Sequence, residues 1–162
     1  MPIEELVCNF HMHTPYSDGE WYHADIAQAA LNAGLDVICV TDHNIWVDGL
    51  ERYYENDGRR LLLMVGEEVH DQTRQPQRNH LLVLGARTEL AGCALHAQEL
   101  LDAAAEAKGL TFLAHPVDPP GALFPDGDLS WVTWEITGYT GLELWNYMTS
   151  FKALLTSRSA AL

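Results

Sequence analysis

Strand-like and helix-like segments alternate along most of the chain, and that alternation predicts an α/β fold with a mainly parallel sheet. Two further observations support it. Apolar runs at residues 35–40 and 61–65 suit strands covered on both faces. Histidines and acids also collect where such runs end, at His11, His13, His43, Glu68 and His115. Ligands sit at the C-terminal ends of strands in folds of this class.

The elements follow in order. Residues 6–10 form an apolar run whose end carries His11 and His13. Side chains two apart on a strand share a face, so both imidazoles can reach one point. Imidazole suits zinc, manganese and iron. Asp18-Gly19 signals a turn. Ile26, Ala29, Ala30 and Ala33 then recur at helical spacing within 23–33, and Gly34 stops the helix. The strand 35–40 ends in Thr41, Asp42, His43 and Asn44. A weaker helix is expected over 48–57, with Leu50, Tyr53 and Tyr54 on one side and Gly58 closing it.

The strand 61–65 runs into Gly66, Glu67 and Glu68, a polar loop covers 71–79, and His80 opens the run 81–84. The clearest helix is 94–108, with Ala97, Leu100, Leu101 and Ala104 as its core stripe and Gly109 as its stop. A strand at 110–114 ends in His115-Pro116. Residues 117–130, rich in Pro, Gly and Asp, read as loop. A short strand at 141–145 ends at Asn146, and 151–155 begin another helix. No repeat or linker divides the chain, so a single domain is expected over residues 1–162.

Composition narrows the function classes. The chain has 162 residues, 48% hydrophobic and 20% charged, which places it among globular proteins. No apolar run approaches the ~20 residues needed to span a bilayer, so no membrane partner is expected. The first residues lack a basic n-region and an apolar core. Three well-separated cysteines, Cys8, Cys39 and Cys93, read as reduced thiols, and a cytoplasmic setting is the expectation. A formal charge of −14 argues against a nucleic-acid partner, which needs a basic stripe. It also opposes a phosphorylated substrate unless bound cations invert the local field.

As an ordered set, these stretches resemble the motifs of the PHP family, named for polymerase and histidinol phosphatase. His11-Met12-His13-Thr14 with Ser17-Asp18-Gly19 is similar to its first motif, and Thr41-Asp42-His43-Asn44 to its second. Gly66-Glu67-Glu68-Val69 and His80-Leu81-Leu82 are similar to the third, and Ala114-His115-Pro116 to the next. Glu143-Leu144-Trp145-Asn146 is similar to a later strand, so the likeness spans residues 6–146.

The resemblance implies a distorted β/α barrel, seven-stranded in the family and incomplete in this chain, with two or three divalent metals (Zn, Mn or Fe). His11, His13 and Glu68 would hold the first metal. Glu68, His80 and His115 would hold the second, with the glutamate bridging, and Asp18 and His43 would contribute to a third. Glu68 and His43 would act on the attacking water through the metals. The family's Gly-x-Glu spacing favours Glu68 over Glu67, and neighbours on a strand face opposite ways.

The family's late Asp-x-His motif is absent from this sequence, so only the second metal position has all its family ligands. Eight-stranded barrels take ~250 residues, and the chain ends at Leu162, after what reads as the start of a helix. The simplest expectation is the N-terminal part of a longer protein or a truncated form. A natural short variant with a reduced site is the rival.

Asp42 is expected to orient a ligand histidine, and His23 to cap a helix or lie exposed. His70 and His96 read as surface residues. Trp131, Trp134, Trp145 and Tyr139 read as packing. Glu143 and Asn146 are candidates for lining the substrate site, and Arg74 and Arg78 for clamping a phosphate. The expected activity is metal-dependent hydrolysis of a phosphate ester on a small phosphorylated metabolite or nucleotide. No Gly-x-Ser-x-Gly or Walker motif competes. A non-catalytic metal-binding or scaffold domain is the alternative, and hydrolysis of an amide or phosphonate a weaker third. Unpaired strand edges in an incomplete barrel would favour a homo-oligomer.

Overall fold

The computed structural model describes residues 3–125 and 127–155; the chain end at Leu162 lies outside them. In chain order the elements are β1 (Cys8–Asn9), α1 (His23–Ala33), β2 (Val37–Val40), β3 (Arg52–Asn56), β4 (Arg59–Asp71) and β5 (Arg78–Leu84). A single 3-10 turn at Ala91–Cys93 precedes α2 (Ala97–Glu106), β6 (Leu110–Leu113), β7 (Gly141–Leu142) and α3 (Tyr147–Leu154). The strands form one sheet in the order β1-β2-β4-β5-β6-β7, with β3 paired to β4 off that path.

The sheet is mixed, which corrects the expectation of a mainly parallel one. β1–β2, β2–β4 and β6–β7 pair parallel, whereas β3–β4, β4–β5 and β5–β6 pair antiparallel. Parallel neighbours need a crossover of a dozen or more residues. The connection 72–77 is too short for one, so β5 runs back along β4.

The weak helix expected over 48–57 is also corrected, because β3 is a strand. Asp57 (φ 48°) and Gly58 (φ 77°) both take positive φ between paired Asn56 and Arg59. That is the two-residue Asp-Gly hairpin turn. The aromatic pair Tyr53 and Tyr54 suits a pleated surface, and the Arg60 guanidinium lies 3.5 Å from the centre of the Tyr53 ring.

The sheet curls into a half-barrel. Among the described residues, β1 and β7 each pair with only one strand, and both are two residues long. Both long helices pack on the outer face. α1 sets Ala27, Ala30 and Leu31 against Ile38, Leu61, Leu63 and Val65. α2 sets Leu100, Leu101 and Ala104 against Val69, Leu81, Val83 and Leu113, with Trp131 completing that core. Each fully buried leucine contributes roughly 1.5–3 kcal/mol relative to exposure. The alternate residues of the same strands line the inner face, around a cavity of about 970 Å³.

Candidate metal centre

Strand alternation decides which of two neighbouring glutamates enters the cavity. On β4, Leu61, Leu63 and Val65 are buried on the helix-covered side. Glu67 shares that side, where its Oε2 accepts the Leu90 N–H at 2.8 Å. Burial pushes the Glu67 carboxyl up to about 7, against the pull of that hydrogen bond. Glu68 points the other way and lines the cavity, its side chain fully buried.

Five imidazoles converge on the Glu68 carboxylate. Oε2 lies 3.0 Å from His11 Nε2, 3.3 Å from His13 Nε2 and 3.2 Å from His43 Nδ1. Oε1 lies 2.9 Å from His80 Nδ1 and 3.1 Å from His115 Nε2. They come from four separate stretches of backbone. His11 and His13 follow β1, where Thr41 donates its N–H to Met12 O at 2.8 Å. His43 forms a parallel bridge with Glu68 itself. His80 stands on β5, and Ala114 N–H bonds His80 O at 2.9 Å, bringing His115 alongside.

Electrostatics follow from that crowding. Burial would raise the Glu68 carboxyl, but the His11 charge and the hydrogen bonds from His11, His115 and His80 hold it well below its ordinary value. Burial lowers His11, yet Glu68 and Glu143 outweigh it and hold the imidazole up at about 10. His13 and His80 are lowered, chiefly by burial. The site therefore sets a charged His11 and two imidazoles lowered by burial, His13 and His80, beside one ionised carboxylate.

A divalent cation fits this donor set. Imidazole nitrogen and carboxylate oxygen together suit Zn, Mn or Fe. The buried His80 Nε2 and His115 Nδ1 have no hydrogen-bond partner among the described residues, a costly arrangement in a neutral interior. Grouped by the glutamate oxygen they touch, His11, His13 and His43 form one set and His80 and His115 the other. Grouped by mutual spacing within 4.8 Å, the sets are His11–Glu68–His115, His43–Glu68–His80 and His13–Asp18–His43. Glu68 belongs to two candidate groups under either grouping.

Asp18 is exposed at the rim, 3.8 Å from His13 Nδ1 and 3.6 Å from His43 Nε2. Asp42 does not orient a histidine directly, which corrects that expectation. Its carboxylate accepts the Thr14 N–H and hydroxyl, both at 2.6 Å, and the Ser17 hydroxyl at 2.7 Å. The loop between His13 and Asp18 is what Asp42 fixes. Glu143 and Asn146 line the cavity, and Glu143 Oε1 accepts from His11 Nδ1 at 2.9 Å.

Arg74 and Arg78 do not line it. Arg74 Nε binds Asp71 at 3.0 Å, and Arg78 Nη1 binds Asp128 at 2.6 Å. His23 is buried at the start of α1, and its Nε2 finds no hydrogen-bond partner among the described residues. Its expected capping or exposed role is corrected, since Tyr22 occupies the cap position.

His70 is the residue the sequence reading misplaces. It is buried, not at the surface. The register between β4 and β5 shifts between Val69 and Asp71, and the His70 ring stacks on His80 at 4.5 Å between centroids and 12° between planes. It also meets His43 edge-on at 4.9 Å. Burial, then the neighbouring His80 and His43, lowers it to about 4, so it packs as a neutral ring. Its position two residues beyond Glu68 was the available signal, because period two puts both on one face.

A family model described as "PHP domain" matches residues 9–114. A solved two-domain protein from Bacteroides vulgatus, containing a predicted PHP-like metal-dependent phosphoesterase, is similar at 22% identity and a TM-score of 0.45. The similarity covers 68% of this chain and 35% of that one, so the chain spans about a third of that protein's length. No curated protein matches the chain.

Proposed function

Because this chain belongs to the PHP domain family, we propose that it is a metal-dependent phosphoesterase hydrolysing a phosphate ester of a small molecule. The observation that carries the proposal is Glu68: one buried carboxylate with five imidazole nitrogens between 2.9 and 3.3 Å from its oxygens. His11, His13 and Glu68 Oε2 would hold one cation, and His80, His115 and Glu68 Oε1 a second. Asp18 and His43 would contribute to a third. Bound there, such cations lower the pKa of water and neutralise phosphate oxygens as charge builds in the transition state.

The chain's own residues divide the remaining work. His80 and His115 are 2% and 9% exposed, whereas His13 and His43 are 22% and 20% exposed. The latter pair therefore faces the side from which substrate enters, with Asp18 beside it. His70 and the Asp42-bound loop keep those rings in place. Phe10, Leu82, Phe112 and Trp145 offer the organic part of the ester an apolar wall. Among the described residues no Lys or Arg lines the cavity, so the cations would meet the phosphate charge there. The acidic composition favours a small molecule over a nucleic acid.

The test is turnover of a panel of phosphate esters by the full chain loaded with Mn²⁺, Zn²⁺ or Fe²⁺, before and after chelation. Activity that disappears with EDTA and returns with metal is expected. Undiminished turnover by metal-free protein would overturn the mechanism. The absence of any Asp-x-His in the sequence favours a second reading, a metal-binding domain without catalysis. Metal bound tightly with no ester turned over would select it.

A further inference from the structure

The matched stretch ends at residue 114, yet a residue from the far end of the described chain reaches back into the centre. Glu143 follows β7 and lies 132 positions from His11. Its Oε1 accepts from His11 Nδ1 at 2.9 Å, and its Oε2 accepts the His115 backbone N–H at 2.7 Å. Asn146 Nδ2 donates to both oxygens at 3.3 Å, while its Oδ1 caps α3 by accepting the Thr149 N–H at 3.0 Å. The carboxylate thus joins two site histidines from different strands, and α3 holds the carboxylate.

Two features make this more than a chance contact. His11 touches Glu143 through Nδ1 and Glu68 through Nε2. A proton kept on Nδ1 by Glu143 leaves the Nε2 lone pair directed at the centre, the way a carboxylate fixes a metal-binding imidazole. His115 has φ +28°, a backbone conformation that non-glycine residues rarely adopt. The hydrogen bond to its N–H fixes that backbone where the ring meets Glu68.

We propose that Glu143 is a positioning residue for the metal centre, setting the His11 tautomer and the His115 backbone, and that Asn146 positions Glu143. This rests on the metal-binding reading above. Glu143 touches neither substrate nor cation in this role.

The test measures Mn²⁺ and Zn²⁺ affinity and stoichiometry by calorimetric titration, with the melting temperature of each protein in EDTA as the control for folding. Glu143→Ala should weaken binding at the position using His11 by about 10–100-fold, the range for lost supporting carboxylates, with its EDTA melting temperature close to wild type. Glu143→Gln has one acceptor oxygen for two donors, so it should recover part of that loss. Asn146→Ala, which leaves both Glu143 contacts to His11 and His115 in place and removes only a 3.5 Å contact to His11 Nδ1, should weaken binding less than Glu143→Ala and covers the case in which that variant fails to fold. Wild-type affinity in Glu143→Ala, or in Asn146→Ala should the former not fold, would overturn the inference. So would a loss matched by an equal fall in the EDTA melting temperature. A wild-type chain that binds no metal would instead refute the metal-binding reading itself.

Discussion

At the residue scale, one carboxylate organises the site and another shows how local partners set acid stability. Glu68→Gln keeps the shape of the side chain and removes its charge. Metal affinity in that variant should fall by more than the roughly 10–100-fold that a supporting residue costs, as read by isothermal titration. Asp128 is not among the residues that line the cavity, and its hydrogen bonds from Arg78 and then Ser130 hold it down at about 2. A carboxyl depressed in the fold contributes stability above its unfolded value of ~3.9 and loses it as pH falls towards the folded one. Urea unfolding at stepped pH should therefore show a decline between about pH 4 and 2 that Arg78→Ala flattens. An unchanged acid limb in the variant would remove that pair from the account. His11, His13, Glu68 and His115 were legible in the sequence because each closes or follows an apolar run. His70 was missed: only its place two residues beyond Glu68 hinted at it, while its contacts with His80 and His43 depend on how separate strands align.

At the element scale, β4 does most of the positioning. One face of this long strand meets α1 and α2, and the other carries Glu68 and His70 into the centre. Gly66 makes that possible, because a Cβ there would lie 2.7 Å from Val83 O and 3.1 Å from Cys39 Sγ. Gly66→Ala should destabilise the protein by about 1–3 kcal/mol through overpacking. Gly58→Ala meets nothing within 4 Å, so only the positive φ opposes it, at about 1–2 kcal/mol. Thermal unfolding checks both variants, and a Gly66→Ala protein as stable as wild type would contradict the packing of β4. The helices α1 and α2 were readable from apolar spacing, and the end of α1 from Gly34; α2 stops earlier than expected, at Glu106, with Lys108 and not Gly109 at positive φ. β3 was not readable, because Leu50, Tyr53 and Tyr54 match a helical stripe while the Asp57-Gly58 turn that makes them a strand needs both residues at positive φ.

At the scale of the whole molecule, a half-barrel brings histidines and acids from segments between β1 and β7 to one mouth. The sequence could announce an α/β fold through alternation, but strand direction depends on connection lengths and pairings that alternation does not encode. That is why a mixed sheet replaced a parallel one. Seven contacts join residues distant in sequence to Glu68 or Glu143, so the site exists only when the sheet has curled. No helix among the described residues is long and apolar enough to cross a membrane. The most direct test is anomalous diffraction from crystals of the full chain grown with Mn²⁺ or Zn²⁺. Two or three peaks are expected, with separate ones at the two Glu68 oxygens, ligated by histidines of the His11–His13 and His80–His115 pairs. Metal-loaded crystals with no peak at Glu68 would contradict the central claim.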